Sequence, residues 1–222
     1  MFGKIFKSKK ASPLKELSAE EFDRVKFKAR IAFIDDEEIS HVDRLREDGY
    51  NITHFTDIEN IDDFIRKNYH VVVLDIQGVG SELAPTSEGW GLLKHFKSTC
   101  PNLVVIMYTG AEWSITEYKE EADKADDFIG KDLEFLDFKR KLDRGLKKAF
   151  SSDYHFQVTK KTISQEISNA NTIDQIKTLI DTYGGDKKTA LKEIKKITNN
   201  EKVLDGIDKF LSIIESVSNL LA

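Results

Sequence analysis

The chain has little of what would mark it as secreted, metal-stapled, membrane-bound or nucleic-acid-binding. Its single cysteine, Cys100, has no partner for an intrachain disulfide and excludes a cysteine-based zinc site, so a reducing, cytoplasmic compartment is expected. No apolar run approaches the roughly 20 residues of a membrane span. Positive charge is not in excess: the formal net charge is −5 and the pI about 5.6, which disfavours a whole-chain affinity for nucleic acid or anionic membrane. The first ten residues, MFGKIFKSKK, carry four lysines but no apolar core of the length a secretory signal needs, and they read as a solvated basic tail. The histidines at 41, 54, 70, 95 and 155 show no metal-ligand spacing. There are only three prolines, none after Pro101, so nothing of that kind interrupts the last half of the chain.

What remains is 222 residues, 40% hydrophobic and 33% charged, enough for one domain of roughly 100–150 residues and a smaller appendage. The most informative stretch is YHVVVLDIQGVG, Tyr69 to Gly80. Val71 to Leu74 form a continuous apolar run of the kind buried on both faces of a parallel sheet. The run stops at Asp75, which places a carboxylate at the carboxyl edge of the sheet, where open α/β folds bind their ligands.

The same grammar repeats along the chain. Residues 1–28 read as a tail and a short helix started by the capping box Ser18 to Glu21. Strands are expected at Ala29–Ile34, Asn51–Phe55, Leu103–Tyr108 and Asp127–Gly130, besides the run ending at Asp75. Helices are expected over Ile39–Asp48, Ile58–Asn68, from near Gly89, within 112–124, and over Leu133–Phe150. The last carries Leu136, Leu142, Leu146 and Phe150 as its apolar positions. Strand and helix thus alternate five times, which predicts a doubly wound five-stranded parallel sheet with helices on both faces. The polar strand ends then meet at one edge: Asp35 and Asp36, Asp75, Thr109 and Lys131. Two or three carboxylates around an oxygen-lined pocket suit Mg²⁺. A hydroxyl and an ammonium beside them suit the remaining oxygens of a phosphoryl group.

Residues 29–150 resemble the receiver domain of bacterial two-component response regulators. The resemblance rests on the acidic pair Asp35-Asp36, the strand-end Asp75, Thr109, and the segment ADDFIGK ending in Lys131, 22 residues after Thr109. It implies a phosphoprotein in which Asp75 accepts phosphate from a sensor histidine kinase or phosphotransfer protein. It further implies Mg²⁺ on Asp36 and Asp75, with Asp35 acting through water and the backbone carbonyl of Gln77 completing the set. Thr109 and Lys131 would hold the phosphoryl group, and Phe128 would occupy the family's aromatic switch position beside Thr109. Such a protein is a phosphoacceptor with self-catalysed transfer and hydrolysis, not otherwise an enzyme. The chain departs from the pattern in having Asp132 where the family usually has proline, and in a longer loop between Asp75 and Gly89. These departures motivate an alternative, a pseudo-receiver scaffold that binds protein partners without phosphorylation. A dehalogenase-type phosphatase would want a second acid at position 77, where Gln77 stands.

Residues 151–222 read as helical, apart from a short extended piece expected over His155–Val158. One helix is expected after a cap at Asn171 or Thr172, the next after Asp186. A last helix from about Glu201 to Leu221 repeats Val203, Ile207, Phe210, Ile214, Val217 and Leu221 at heptad spacing. That stripe fits either a small bundle or a helix shared between two chains, so a homodimer through it and an unidentified protein output partner are both open. With no arginine after Arg144, and ten lysines against ten acids over 151–222, no DNA contact is expected.

Overall fold

The computed structural model describes residues 17–110 and 117–221. The basic tail, Trp113 and the first part of the 112–124 segment lie outside the described residues. The chain divides into two compact units, Leu17–Phe150 and the helical region from Ser151 onward.

The first unit is built on five parallel strands: β1 (Arg30–Ile34), β2 (Asn51–Phe55), β3 (Val71–Asp75), β4 (Val104–Thr109) and β5 (Asp127–Gly130). They lie in the order β2-β1-β3-β4-β5. β3 sits at the centre, with Leu74 beside Ile34 on one flank and Asp75 beside Tyr108 on the other. All five of its residues are buried, as are all six of β4, because helices cover both faces.

One face carries α3 (Ile61–Arg66) and α4 (Glu88–Thr99), whose Phe64, Trp90, Leu92, Leu93 and Phe96 pack on Ala32, Ile34, Val72, Leu74 and Met107. Toward the other face, Phe33 stacks on Phe138 of α6 (Phe135–Ala149) with ring centroids 6.0 Å apart. α2 (Ser40–Glu47) buries Val42 and Leu45. α1 (Ala19–Lys28) starts at the expected capping box, Ser18 and Glu21 each bonding the other's backbone N–H, and buries Val25. A short α5 (Lys119–Ala122) precedes β5.

Several boundaries differ from the sequence reading. α3 begins at Ile61 rather than Ile58. The Asp57 carboxylate accepts from Ile58 N, and Asn60 caps by accepting from Asp63 N, so the helix cannot start earlier. Ile58 is still buried, from the loop. Leu136 does not face the core of α6; it is 69% exposed. The buried stripe is Phe138, Leu142, Gly145, Leu146 and Ala149, and a residue two positions before Phe138 lies on the opposite side at 3.6 residues per turn.

The helical unit comprises α7 (Ser152–Glu166), α8 (Ala170–Tyr183), α9 (Lys187–Ile194) and α10 (Glu201–Leu221). The extended piece expected at His155–Val158 is instead the second turn of α7. Ser151 accepts from Tyr154 N and starts the helix, and His155 and Phe156 are buried on it. α8 is capped by Asn169, which accepts from Asn171 N and Thr172 N, two or three residues before the expected Asn171 or Thr172. Asp186 caps α9 as expected. The core is Phe156, Ile163, Ile173, Ile176, Ile180, Ala190, Ile194, Val203, Ile207, Phe210 and Leu211. The heptad stripe of α10 is therefore buried through Leu211, while Ile213, Ile214, Val217 and Leu220 are only half-buried.

Candidate functional site

Each strand-end side chain reaches the carboxyl edge for a local reason. β1 stops where Asp35 N donates to Phe55 O at 3.0 Å, which turns the Asp35 side chain inward, to 1% exposure. Its Oδ1 accepts from Glu37 N at 2.9 Å, folding the acidic run into a tight turn. Asp36 follows on the exposed side of that turn. Asp75 ends β3 with Oδ1 accepting from its neighbour Ile76 N at 2.7 Å. Lys131 is placed by its own backbone, Lys131 N donating to Thr109 O at 3.0 Å where β4 and β5 run out together.

These groups converge. Oxygens of Asp35, Asp36 and Asp75 all lie within 4.8 Å of one another. Lys131 Nζ donates to Asp75 Oδ2 at 2.7 Å and forms an ion pair with Asp35 Oδ2 at 3.1 Å and, more distantly, Glu37. Asp36, Glu37, Asp75, Gln77, Gly78, Thr109, Gly110 and Lys131 line an open pocket of about 380 Å³, with Asp35 buried beneath it. Phe128 lies outside the pocket, packed against the α3–α4 core with its ring 6.4 Å from that of Trp90. Glu37, Gly78 and Gly110 were not singled out from the sequence. Gly78 is the informative one: at φ +78 it sits so close to Asp36 that a Cβ there would fall within 2.6 Å of three carboxylate atoms. That spacing fixes where the Asp36 carboxylate can lie, and a lone glycine in a loop carries no sequence signal for it.

The electrostatics leave the pocket short of positive charge. Four carboxylates, Asp35, Asp36, Glu37 and Asp75, face one ammonium. Burial pushes the Asp75 carboxyl above its ordinary range; the hydrogen bond from Lys131 opposes this, and the neighbouring Asp35 charge adds to it. Burial acts against the Lys131 ammonium, yet its hydrogen bond to Asp75 and the negative charges of Asp75 and Asp35 outweigh that and raise it above the usual lysine range. Asp35 Oδ2 is buried with no hydrogen-bond donor; Lys131 stands beside it as a charge, off the geometry of a bond. A buried, orphaned carboxylate oxygen is costly unless something else satisfies it. An oxygen-only donor set, an excess of carboxylates over the one ammonium and an unsatisfied oxygen together fit a hard divalent cation of the Mg²⁺ type.

A parallel 2-1-3-4-5 sheet with its polar groups at the carboxyl edge is the flavodoxin-like architecture, and receiver domains share it. Among solved structures, residues of this chain align with the receiver domain of NtrX from Brucella abortus at 25% identity, covering 53% of this chain and 98% of that one, with a TM-score of 0.44. The response regulator TrrA from Thermotoga maritima in complex with Mg²⁺-BeF aligns at 24% identity over the same shares, with a TM-score of 0.42. NtrX from Brucella abortus in complex with ATP aligns at 21% identity and a TM-score of 0.45, and covers 70% of this chain; this chain spans only 34% of that protein. No family model matches the sequence, and no curated protein does. Among the described residues no helix is long and apolar enough to cross a membrane.

Proposed function

We propose that the unit from Leu17 to Phe150 is a phosphoacceptor receiver and that the chain is a response regulator of a phosphorelay in the cytoplasm. The observation that carries this is the convergence of Asp35, Asp36 and Asp75 on one point, with Lys131 bonded to Asp75. Asp75 is the nucleophile. Its carboxylate oxygen attacks the phosphorus of a phosphohistidine on a sensor kinase or phosphotransfer protein, the P–N bond breaks, and the imidazole nitrogen keeps the electron pair. Lys131 then loses its carboxylate partner to the new acyl bond and turns its N–H groups to the phosphoryl oxygens, with the Thr109 hydroxyl beside it. Asp36, Asp75 and the Gln77 carbonyl would hold Mg²⁺, with Asp35 acting through water, and the ion would offset the negative charge of the carboxylates and of the incoming phosphoryl group. Phe128 is the residue whose packing follows Thr109. Beyond accepting and hydrolysing its own phosphoryl group the chain is not an enzyme. The helical unit carries the output, through a protein partner or a second copy of the chain, and the half-buried end of α10 supports that assignment.

The test is phosphorylation by acetyl phosphate, read on the intact protein by mass spectrometry. Wild type is expected to take up one phosphoryl group only when Mg²⁺ is present, and Asp75→Asn and Asp75→Ala none. A wild type that neither labels nor binds Mg²⁺ would favour the scaffold reading, which Asp132 after Lys131 and the long loop after Asp75 motivate.

A further inference from the structure

The loop between β3 and α4, residues 76–87, is longer than a simple crossover needs, yet it is folded back and fastened rather than free. Its base is closed by Gly89 N donating to Ile76 O at 3.0 Å. Its middle is buried at Val79 and Gly80. Two acidic side chains that do not line the pocket hold the stretch between those points. Asp57, on the loop after β2, accepts from Gly80 N at 2.6 Å. Gly80 adopts φ +71 over Leu92, where a Cβ would fall 2.7 Å from Leu92 Cγ, so only glycine fits this close approach. Glu88, at the start of α4, accepts from Gly78 N at 3.4 Å. It sits at φ +43, one of only two described non-glycine residues in the left-handed region, an unfavourable place for a side chain. Backbone strain of this kind persists where the surroundings enforce it, and it gathers at sites of function. The clamps hold the two ends of the short stretch Gly78–Gly80; Gly78 is pressed on the Asp36 carboxylate, and Gln77, the residue before it, lies on the pocket wall.

We propose that Asp57 and Glu88 are positioning residues for the acidic pocket, clamping Gly80 and Gly78 so that Gly78 holds the Asp36 carboxylate and the Gln77 carbonyl at the spacing a divalent cation requires. The proposal rests on the reading of the pocket as a Mg²⁺ site. It assigns the long loop to the site itself, as its wall, and gives two acids outside the pocket a role in its affinity. Partners that orient a metal's ligands typically change affinity by about 10–100-fold when removed.

The test is a calorimetric Mg²⁺ titration of the full chain and four variants. Asp57→Ala and Glu88→Gly are each expected to raise the Mg²⁺ Kd by about tenfold or more. Glu88→Gly is the cleaner arm, because glycine tolerates the left-handed backbone and the fold is not put at risk. Asp57→Asn and Glu88→Gln keep an oxygen acceptor for Gly80 N and Gly78 N and are expected to titrate close to wild type. A role confined to holding the fold together would lower Tm and leave Kd where it is. Unchanged Kd in Asp57→Ala and Glu88→Gly, with both folded by circular dichroism, would overturn the proposal. Wild type that binds no Mg²⁺ would sink the pocket reading itself and the proposal with it, and the two failures are told apart by that first titration.

Discussion

Removing the Asp75 charge without changing its shape should stabilise the metal-free protein. In the folded state the Asp75 carboxylate is repelled by Asp35 and Asp36 at no more than 4.8 Å and attracted by Lys131 at 2.7 Å. At an effective dielectric of about 20, each repulsion is on the order of 3.5 kcal/mol and the attraction about 6 kcal/mol. The charges therefore nearly cancel, with a small excess of repulsion, and the cost of burying the carboxylate remains. Asp75→Asn removes all of these terms, and the expected gain is about 1–3 kcal/mol, or roughly 3–10 °C in Tm. The gain depends on pH. A carboxyl raised above its unfolded value binds its proton more tightly in the folded state, so its stabilising contribution is full below the unfolded pKa of 3.8 and is lost as pH rises through the folded pKa. The advantage of Asp75→Asn should accordingly be larger at pH 7 than near pH 4. Mg²⁺ narrows the gap. At ten times its Kd it adds about 1.4 kcal/mol to wild type by linkage, and much less to a variant lacking one of its ligands. Thermal melts followed by tryptophan fluorescence suit the measurement, because Trp90 and Trp113 both fall within the residue range of the first unit. If Asp75→Asn melted below wild type in EDTA at pH 7, the picture of an under-neutralised carboxylate cluster would be wrong.

Gly78→Ala should abolish calorimetric Mg²⁺ binding and cost about 1–2 kcal/mol, since the new Cβ meets the Asp36 carboxylate on a left-handed backbone. Lys131→Met should leave the acidic cluster of Asp35, Asp36, Glu37 and Asp75 with no counter-charge. Its Tm in EDTA should fall below wild type and recover more than wild type does on adding Mg²⁺, in melts with and without the metal. Asp126, away from the pocket, accepts from Lys97, from Lys148 at 2.8 Å and from Val105 N at 2.8 Å. Burial opposes its ionisation, but the Lys97 charge and these bonds prevail and hold its carboxyl below the usual range. Its stabilising contribution is present above the unfolded value and is lost as pH falls through the folded pKa, so Asp126→Ala should cost about 3 kcal/mol at pH 7 and less in acid, by urea denaturation. In the helical unit, Phe210→Ala should cost about 3–5 kcal/mol, seen as earlier loss of helical circular dichroism in denaturant.

How much of this was legible in the sequence follows from how far each feature reaches along the chain. A buried strand that stops at a polar residue is a local pattern, so Asp35, Asp75, Thr109 and Lys131 could be placed on one edge from the alternation of elements alone. Caps were legible where the side chain and its amide lie three residues apart, as at Ser18 and Asp186. The cap at Asn169 was missed in favour of Asn171 or Thr172, because cap-forming side chains crowd positions 169–172 and the sequence does not single one out. Leu136 and His155 were misplaced for a related reason: an apolar residue near a helix end, or a short β-prone run, takes its side from tertiary packing. The clamps at Gly80 and Gly78 were invisible, since Asp57 meets an amide 23 residues away and Glu88 acts through a backbone conformation that no residue type announces.

The central claim is that Asp75 is the residue that receives the phosphoryl group. It is tested most directly by treating the protein with acetyl phosphate and Mg²⁺, reducing the acyl phosphate with borohydride, and mapping the modified residue by peptide mass spectrometry. The account predicts reduction at Asp75 alone. Modification at another carboxylate, or at none in protein that binds Mg²⁺, would contradict it.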